Sequence, residues 1–298
     1  MEIRVLKYFL AVAREQSILG ASKYLNLSQP TLSRQLKDLE AEFGKQLFIR
    51  GTKKITLTED GILFRKRAEE IIDLVEKTEM EMNSNDDNIA GCIYLGTAET
   101  ENIDIIAKCI KKLQTKYPNI KFNLSSDDGD DVMDNLDKGL IDFGIIICPF
   151  DKSKYNYITL PSKDIWGMLM RKDSPLAKLD YITPKDLLNK NLIDKPLIVS
   201  RQVSSTNEFS NWLKTDIDKL NIVAHYNLLY NASILVKNNI GYALTLDGLI
   251  DTSSSSIFEF KPLYPKLDLE INVIWKKYQV FSKPAEMFLK ELQKDTEL

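Results

Sequence analysis

Five side chains within a short stretch, Gln29, Thr31, Ser33, Arg34 and Lys37, are of the types that read nucleic acid. Gln pairs with an adenine edge and Arg with guanine, while Ser, Thr and Lys meet phosphate oxygens. Elsewhere the chain is poor in reactive groups. It has 1 His, His225, so a Ser-His-Asp triad or a multi-His metal site would rest on that single ring. His225 is expected to pack or cap at a strand end. Cys92, Cys109 and Cys148 are too few and too scattered for a disulfide framework or a CxxC zinc site, and they fit a reducing, cytoplasmic compartment. Neither a Walker A pattern nor GxGxxG occurs. Asp127, Asp128, Asp130 and Asp131 lack the spacing of a calcium loop and read as a helix-capping turn. No metal and no cofactor is expected, and an enzyme is disfavoured.

The 298 residues suggest about two domains at roughly 150 residues each. With 44% hydrophobic residues and a net charge of -3, the chain is not disordered. The charge is uneven. Residues 1–67 hold 13 Lys/Arg and 7 Asp/Glu, a balance of +6, and the rest hold 27 against 36, a balance of -9. A basic head on an acidic body attracts polyanions at one end only. Val5 to Ala13 is apolar enough to suggest a signal segment, but Lys7 interrupts it, and Leu6, Phe9, Leu10 and Ala13 recur at helical spacing. It reads as a core helix. No run of 18 apolar residues occurs, so no membrane span is expected.

The elements that must position the five side chains follow from the pattern. Residues 4–14 form a first helix. Ser17 caps a second, with Ile18, Ala21 and Leu25 inward. After a break at Asn26-Leu27, Ser28 caps a third helix from about Gln29 to Phe43, and Pro30 sits in its first turn. Leu32, Leu36, Leu39 and Phe43 are spaced 4, 3, 4, so one stripe faces a core and the five polar residues face away. Gly44 ends the helix. Leu47-Phe48-Ile49 and Ile55-Thr56-Leu57 form a hairpin around a basic turn, Arg50 to Lys54. Two helices joined by a tight turn, then a basic wing, is a DNA-binding arrangement.

The run Ala21-Ser22, then Leu25-x-Leu27-Ser28-Gln29-Pro30-Thr31-Leu32-Ser33-Arg34-Gln35-Leu36-x-x-Leu39-Glu40, Gly44-x-x-Leu47-Phe48-x-Arg50 and Leu57-Thr58-x-x-Gly61 resembles the LysR-type transcriptional regulators without a gap. The resemblance implies that Gln29, Thr31, Ser33, Arg34 and Lys37 sit in or beside the major groove, with Ser28 and Pro30 at the helix's leading turn. Arg50 and Lys53 would serve the wing. Many members carry a second Arg in that turn, where this chain has Lys53 and Lys54. Lysine keeps the charge and loses the bidentate fork.

From Thr58 to Gly91 the only helix breaker is Gly61. Phe64, Ala68, Ile71, Val75, Thr78 and Met82 are spaced 4, 3, 4, 3, 4, a heptad seam that predicts a homodimer through a linker helix. Asn83 to Asn88 reads as a hinge. Beyond it, strands and helices alternate in a βαβαβ order followed by a second series. This predicts an α/β body of two lobes, periplasmic-binding-protein-like, in which Glu270–Trp275 and Pro284–Leu292 return to the first. The expected division is 1–58 for the winged helix-turn-helix, 59–88 for linker and hinge, and 89–298 for an effector domain. Within it, lobe I covers about 89–161 and 267–298, and lobe II about 162–266. The resemblance extends here through Tyr117-Pro118, Gly139-x-Ile141-Asp142 and Gly241-Tyr242-Ala243-Leu244.

Ligands of open α/β sheets bind at the carboxyl ends of strands. That rule selects Thr97, Glu99, Thr100, Arg201, Gln202 and Thr245 as effector contacts. Thr100 and Arg201 suit a carboxylate and Glu99 an amine, together hinting at a zwitterion. By resemblance, effectors lie in this interlobe cleft and two dimers make a tetramer. The expected function is a cytoplasmic, sequence-specific regulator of double-stranded DNA, modulated by a small molecule, with RNA polymerase as a further candidate partner. The alternatives are an architectural DNA-binding protein without a ligand, and an enzyme carrying a DNA-binding head.

Overall fold

The computed structural model describes residues 1–51, 54–82, 89–189, 196–201, 203 and 207–296. Lys53, Gln202 and the hinge at 83–88 lie outside the described residues. The chain divides into two units, Met1–Asn83 and Ser84–Leu298. The long helix thus belongs to the head's unit rather than forming a segment of its own.

In the first unit, α1 (Ile3–Glu15), α2 (Ile18–Tyr24) and α3 (Gln29–Phe43) pack with the hairpin β1 (Phe48–Arg50) and β2 (Ile55–Leu57) and with α4 (Glu59–Met82). Local chemistry sets each boundary. The Ser17 hydroxyl accepts from the Gly20 amide at 3.2 Å. Ser28 accepts from the Thr31 amide at 3.3 Å, and Gly44 closes α3 with a φ of 63°. Thr58 caps α4, accepting from the Gly61 amide at 2.9 Å while its own hydroxyl donates to the Gln46 carbonyl at 2.7 Å. Gly61 has no room for a side chain, since a Cβ there would collide with the Leu47 carbonyl. The core gathers Leu6, Phe9, Val12, Leu32, Leu36 and Leu39 with Phe48 and Ala68. Phe9 is its centre, with ring centroids 4.9 Å from Phe48 and 4.8 Å from Phe64.

The second unit runs β3 (Gly91–Thr97), α5 (Ile103–Lys116), β4 (Ile120–Ser126), α6 (Gly129–Asp137), β5 (Phe143–Ile146), β6 (Tyr155–Arg171), α7 (Pro184–Leu188), β7 (Leu197–Ser200), α8 (Asn207–Leu213), β8 (Ile222–Tyr226), α9 (Leu229–Lys237), β9 (Tyr242–Leu246), β10 (Phe258–Pro262), β11 (Asp268–Lys276) and α10 (Lys283–Thr296). Strand order is β4-β3-β5-β11-β6-β9-β7-β8, with β10 also on β6. Parallel triplets lie at both ends, β4-β3-β5 in lobe I and β8-β7-β9 in lobe II. The 17-residue strand β6 joins them. Its first part pairs with β11 and its last part with β9 and β10, all antiparallel.

The division expected near residue 162 falls inside this strand, which belongs to both lobes. Pro161 and the charged pair Lys163-Asp164 interrupt the apolar pattern. The pairing accommodates them through an irregularity in β11 between Glu270 and Asn272. The return of the C-terminal segments to lobe I is as expected: β11 pairs with β5, and Phe288 of α10 packs on Phe122 and Phe143. The acidic loop also caps as expected, with Asp128 Oδ1 accepting from the Asp131 amide at 3.1 Å. His225 departs from expectation and is exposed on β8, the outermost strand of its sheet.

Candidate functional site

Two surfaces answer to the sequence-selected residues. On α3, Leu32, Leu36 and Leu39 are buried, which turns Gln29, Pro30, Thr31, Arg34 and Lys37 outward to solvent, with Ser33 half-buried beside them. Ser28 is exposed at the cap, its hydroxyl 2.7 Å from that of Thr31. Arg34 keeps a loose ion pair with Asp38 at 3.9 Å, its side chain 83% exposed, so the guanidinium is free to be redirected. The wing is tied to α3 by a residue that the sequence reading quoted only within a motif. Glu40 Oε1 accepts from the amides of Leu47 and Phe48 at 2.8 and 3.1 Å, and Oε2 lies 3.7 Å from Arg50 Nη2. Glu40 thereby fixes where the wing strand starts and where Arg50 sits. A Glu pointing back from a helix toward a following strand leaves no periodic signal.

The linker seam needs correction. Ala68 is fully buried in the head's own core, and Phe64 packs there against Phe9 and Phe43. Neither is free to meet a second chain. Ile72, which the seam omitted, is buried in the same core. The apolar band of α4 is wider than one heptad seam, and its innermost edge is used by α1 and α3. Leu63, Ile71, Leu74, Thr78 and Met82 remain exposed on the neighbouring stripe, Leu63 by 59% and Met82 by 78%. Val75 lies between the two sets, half-buried.

In the second unit, a small cavity of about 30 Å³ opens between the lobes. Glu99, Asp127, Trp166, Ser200, Tyr226 and Thr245 line it, with Leu246 and Leu249 as apolar walls. Of the six effector contacts read from sequence, Glu99 and Thr245 are in this lining. Thr97 is buried and donates its hydroxyl to the Ala98 carbonyl at 2.7 Å. Thr100 is buried and donates to Asp164 Oδ1 at 2.9 Å, so its hydroxyl serves the protein rather than a ligand. Arg201 is exposed and outside the lining. Trp166, Tyr226 and Asp127 were missed. Tyr226 ends β8, and Asp127 lies in a loop already flagged, so the strand-end rule reaches both. Trp166 sits within the crossing strand, where that rule is blind.

Glu99 carries the most telling contact. Its Oε2 accepts from the Leu229 amide at 2.5 Å, joining the loop after β3 in lobe I to the first turn of α9 in lobe II. A second approach lies beside it, where the Glu101 side chain rests over Gly248, whose φ of 76° and lack of Cβ make the room. Under this loop Asp164 is buried. Asn102 Nδ2 donates to the same Oδ1 at 2.7 Å, while Oδ2 has no hydrogen-bond partner. Burial pushes the Asp164 carboxyl above its ordinary pKa. The bonds from Thr100 and Asn102 pull the other way, and Glu101 adds to the rise. Burial likewise raises the Tyr226 phenol, which donates to the Leu244 carbonyl at 2.8 Å; Thr245 lowers it and Glu99 raises it. Cys148 is pushed up to about 11, first by burial and then by Asp130, so it is an unreactive thiol.

A second, roomier hollow of about 400 Å³ shares Ile147 with the first and has Lys152, Lys163, Glu208 and Asp268 on its walls. Among the described residues no group of His, Cys, Asp or Glu is arranged to hold a metal, and no helix is long and apolar enough to cross a membrane.

Comparison with known proteins covers both units. Residues 3–62 match the bacterial regulatory helix-turn-helix protein model of the LysR family, and residues 87–297 match the LysR substrate binding domain. An uncharacterized HTH-type transcriptional regulator of Methanocaldococcus jannaschii is 26% identical over 91% of this chain and 90% of its own. The HTH-type transcriptional regulator BsdA of Bacillus subtilis is 36% identical over 49% of this chain and 50% of its own. Among solved structures, full-length CbnR in complex with its target DNA has a TM-score of 0.74 at 17% identity, covering 99% of this chain and 100% of that one. At that identity the likeness establishes the fold. The matched relatives are named as transcriptional regulators, not enzymes. The chain therefore belongs to the LysR family of DNA-binding transcriptional regulators, with a winged helix-turn-helix head and a two-lobed α/β substrate-binding domain.

Proposed function

We propose that this chain controls transcription in the cytoplasm as a homo-oligomer that reads a two-fold DNA site. In this reading a small molecule in the interlobe cavity sets how its heads engage that site. The observation that carries the reading is the division of α3 into a buried leucine face and an outer face of Gln29, Thr31, Arg34 and Lys37. Ser28, Pro30 and Ser33 complete that face. Arg50, held by Glu40, and Lys53 supply the wing. Exposed polar side chains held by no more than loose surface contacts, as Arg34 is by Asp38, are available for base edges and phosphates.

Dimerisation falls to the exposed stripe of α4, centred on Leu74, with Ile71, Thr78 and Met82. A two-fold DNA site requires a two-fold protein. A pair of dimers forming a tetramer, and contact with RNA polymerase, extend the same reading.

The effector acts through the lobes. Glu99 and Thr245 face the cavity from opposite lobes, so a ligand touching both distinguishes open from closed arrangements. Only such a difference in affinity can shift the protein between them. A thermal-shift screen of metabolites on the full chain tests this. A ligand at 100 times its Kd stabilises by about 2.7 kcal/mol. The expected hit also changes DNA affinity and is lost on Thr245→Val. Hits that leave DNA binding unchanged, or no hit at all, would favour an architectural protein without an effector.

A further inference from the structure

Resting on the reading of the interlobe cavity as the effector site, we infer that the effector is a compact organic cation: an ammonium group on an apolar body. The charge of the walls carries this. Glu99 and Asp127 line the cavity, and no Lys, Arg or His does so among the described residues. Arg201, the one cation that the strand-end rule offered, is exposed outside the lining.

The usual device for receiving an anion is already filled. The amide of Leu229 opens the first turn of α9 toward the cavity, and Glu99 occupies it. A ligand carboxylate would have to displace Glu99 and then lie beside Asp127. The hydroxyl of Thr100 is likewise taken by Asp164. The surroundings deepen the negative field. Cys148, at the neighbouring hollow, feels Asp130, Asp128 and Glu208, and Tyr226 feels Glu99. Of the lysines of that hollow, Lys163 is offset by Asp268 on the same wall at 3.7 Å, and Lys152 lies 4.8 Å over the Tyr157 ring.

The remaining walls suit the other end of such a molecule. Trp166, Leu246 and Leu249 offer apolar contact, and aromatic rings such as those of Trp166 and Tyr226 are favourable neighbours for an ammonium. Thr245 adds a hydroxyl oxygen that can accept from it. Only one oxygen of Glu99 bonds to Leu229, so the carboxylate can hold the helix and a cation together.

The test is calorimetry on the full chain with matched pairs, butylamine against butanoate and phenethylamine against 3-phenylpropanoate. The amines are expected to bind and the carboxylates not. Glu99→Gln keeps an acceptor for the Leu229 amide, and Asp127→Asn alters a separate loop. Each is expected to weaken the amines about tenfold or more while leaving the melting temperature near that of the parent. Amine affinity unchanged in both variants would overturn the assignment. So would carboxylates binding more tightly than their amine partners. If no amine binds while the metabolite screen yields a neutral or anionic ligand lost on Thr245→Val, the cation falls and the effector cavity stands. If nothing binds in either experiment, both fall.

Discussion

Asp164 and Glu40 show how single carboxylates shape this molecule away from the surfaces that meet ligands. Asp164 is buried beneath the loop after β3 with its pKa raised, chiefly by burial. Between the ordinary carboxylate value of about 3.9 and the raised one, the folded chain holds a proton that the unfolded chain has lost. Stability therefore falls as pH rises through that window and stays lower above it. Asp164→Asn keeps an oxygen for Thr100 and Asn102. It is expected to raise the melting temperature at neutral pH and to flatten its pH dependence over that window; a melting series across pH checks this. Glu40 works in the opposite sense, satisfying two amides at once. Glu40→Ala strands the amides of Leu47 and Phe48 and is expected to cost about 1–3 kcal/mol, with weaker DNA binding as the wing loosens. Denaturant unfolding should place Glu40→Gln, which still accepts from both, near the parent. At this scale the sequence was informative about residue type and poor on partners. Thr100 and Arg201 were sensible anion ligands until Asp164 claimed one and geometry exposed the other.

Among the elements, α3 was legible because its leucines repeat at helical spacing and its ends carry a serine cap and a glycine stop. The linker helix α4 was legible as a helix but not in its faces. Its apolar band is buried along one edge and exposed along the other, and spacing alone cannot say which edge is which. The structure separates them: Ala68 is 0% exposed and Leu74 is 42% exposed. Leu74→Glu is therefore expected to weaken self-association by about a hundredfold or more while the circular dichroism and melting temperature hold. Analytical ultracentrifugation reads this directly. Ala68→Glu, placing a charge in the core beside Phe9, is expected to unfold the head instead. If both variants behaved alike, this account of the two edges of α4 would be wrong. The crossing strand β6 was the least legible element, because a proline and two charges interrupt it where it passes between lobes.

For the whole molecule, the uneven charge that separated a basic head from an acidic body in the sequence acquires two uses. The basic head suits phosphate, and in the proposed reading the acidic lining of the interlobe cavity selects a ligand by sign. Fold class followed from element order and from a family motif matched without a gap, whereas the chemistry of the cavity depended on side chains brought together from both lobes. The central claim, sequence-specific DNA reading by the outer face of α3, is tested most directly by selection from a random DNA pool with the full chain, run beside Arg34→Ala. The parent is expected to enrich an interrupted palindrome. Arg34→Ala should lose a specific base position, at about 1–3 kcal/mol for the contact, with its fold intact. Absence of any enriched motif, or an identical motif for the variant, would contradict the account.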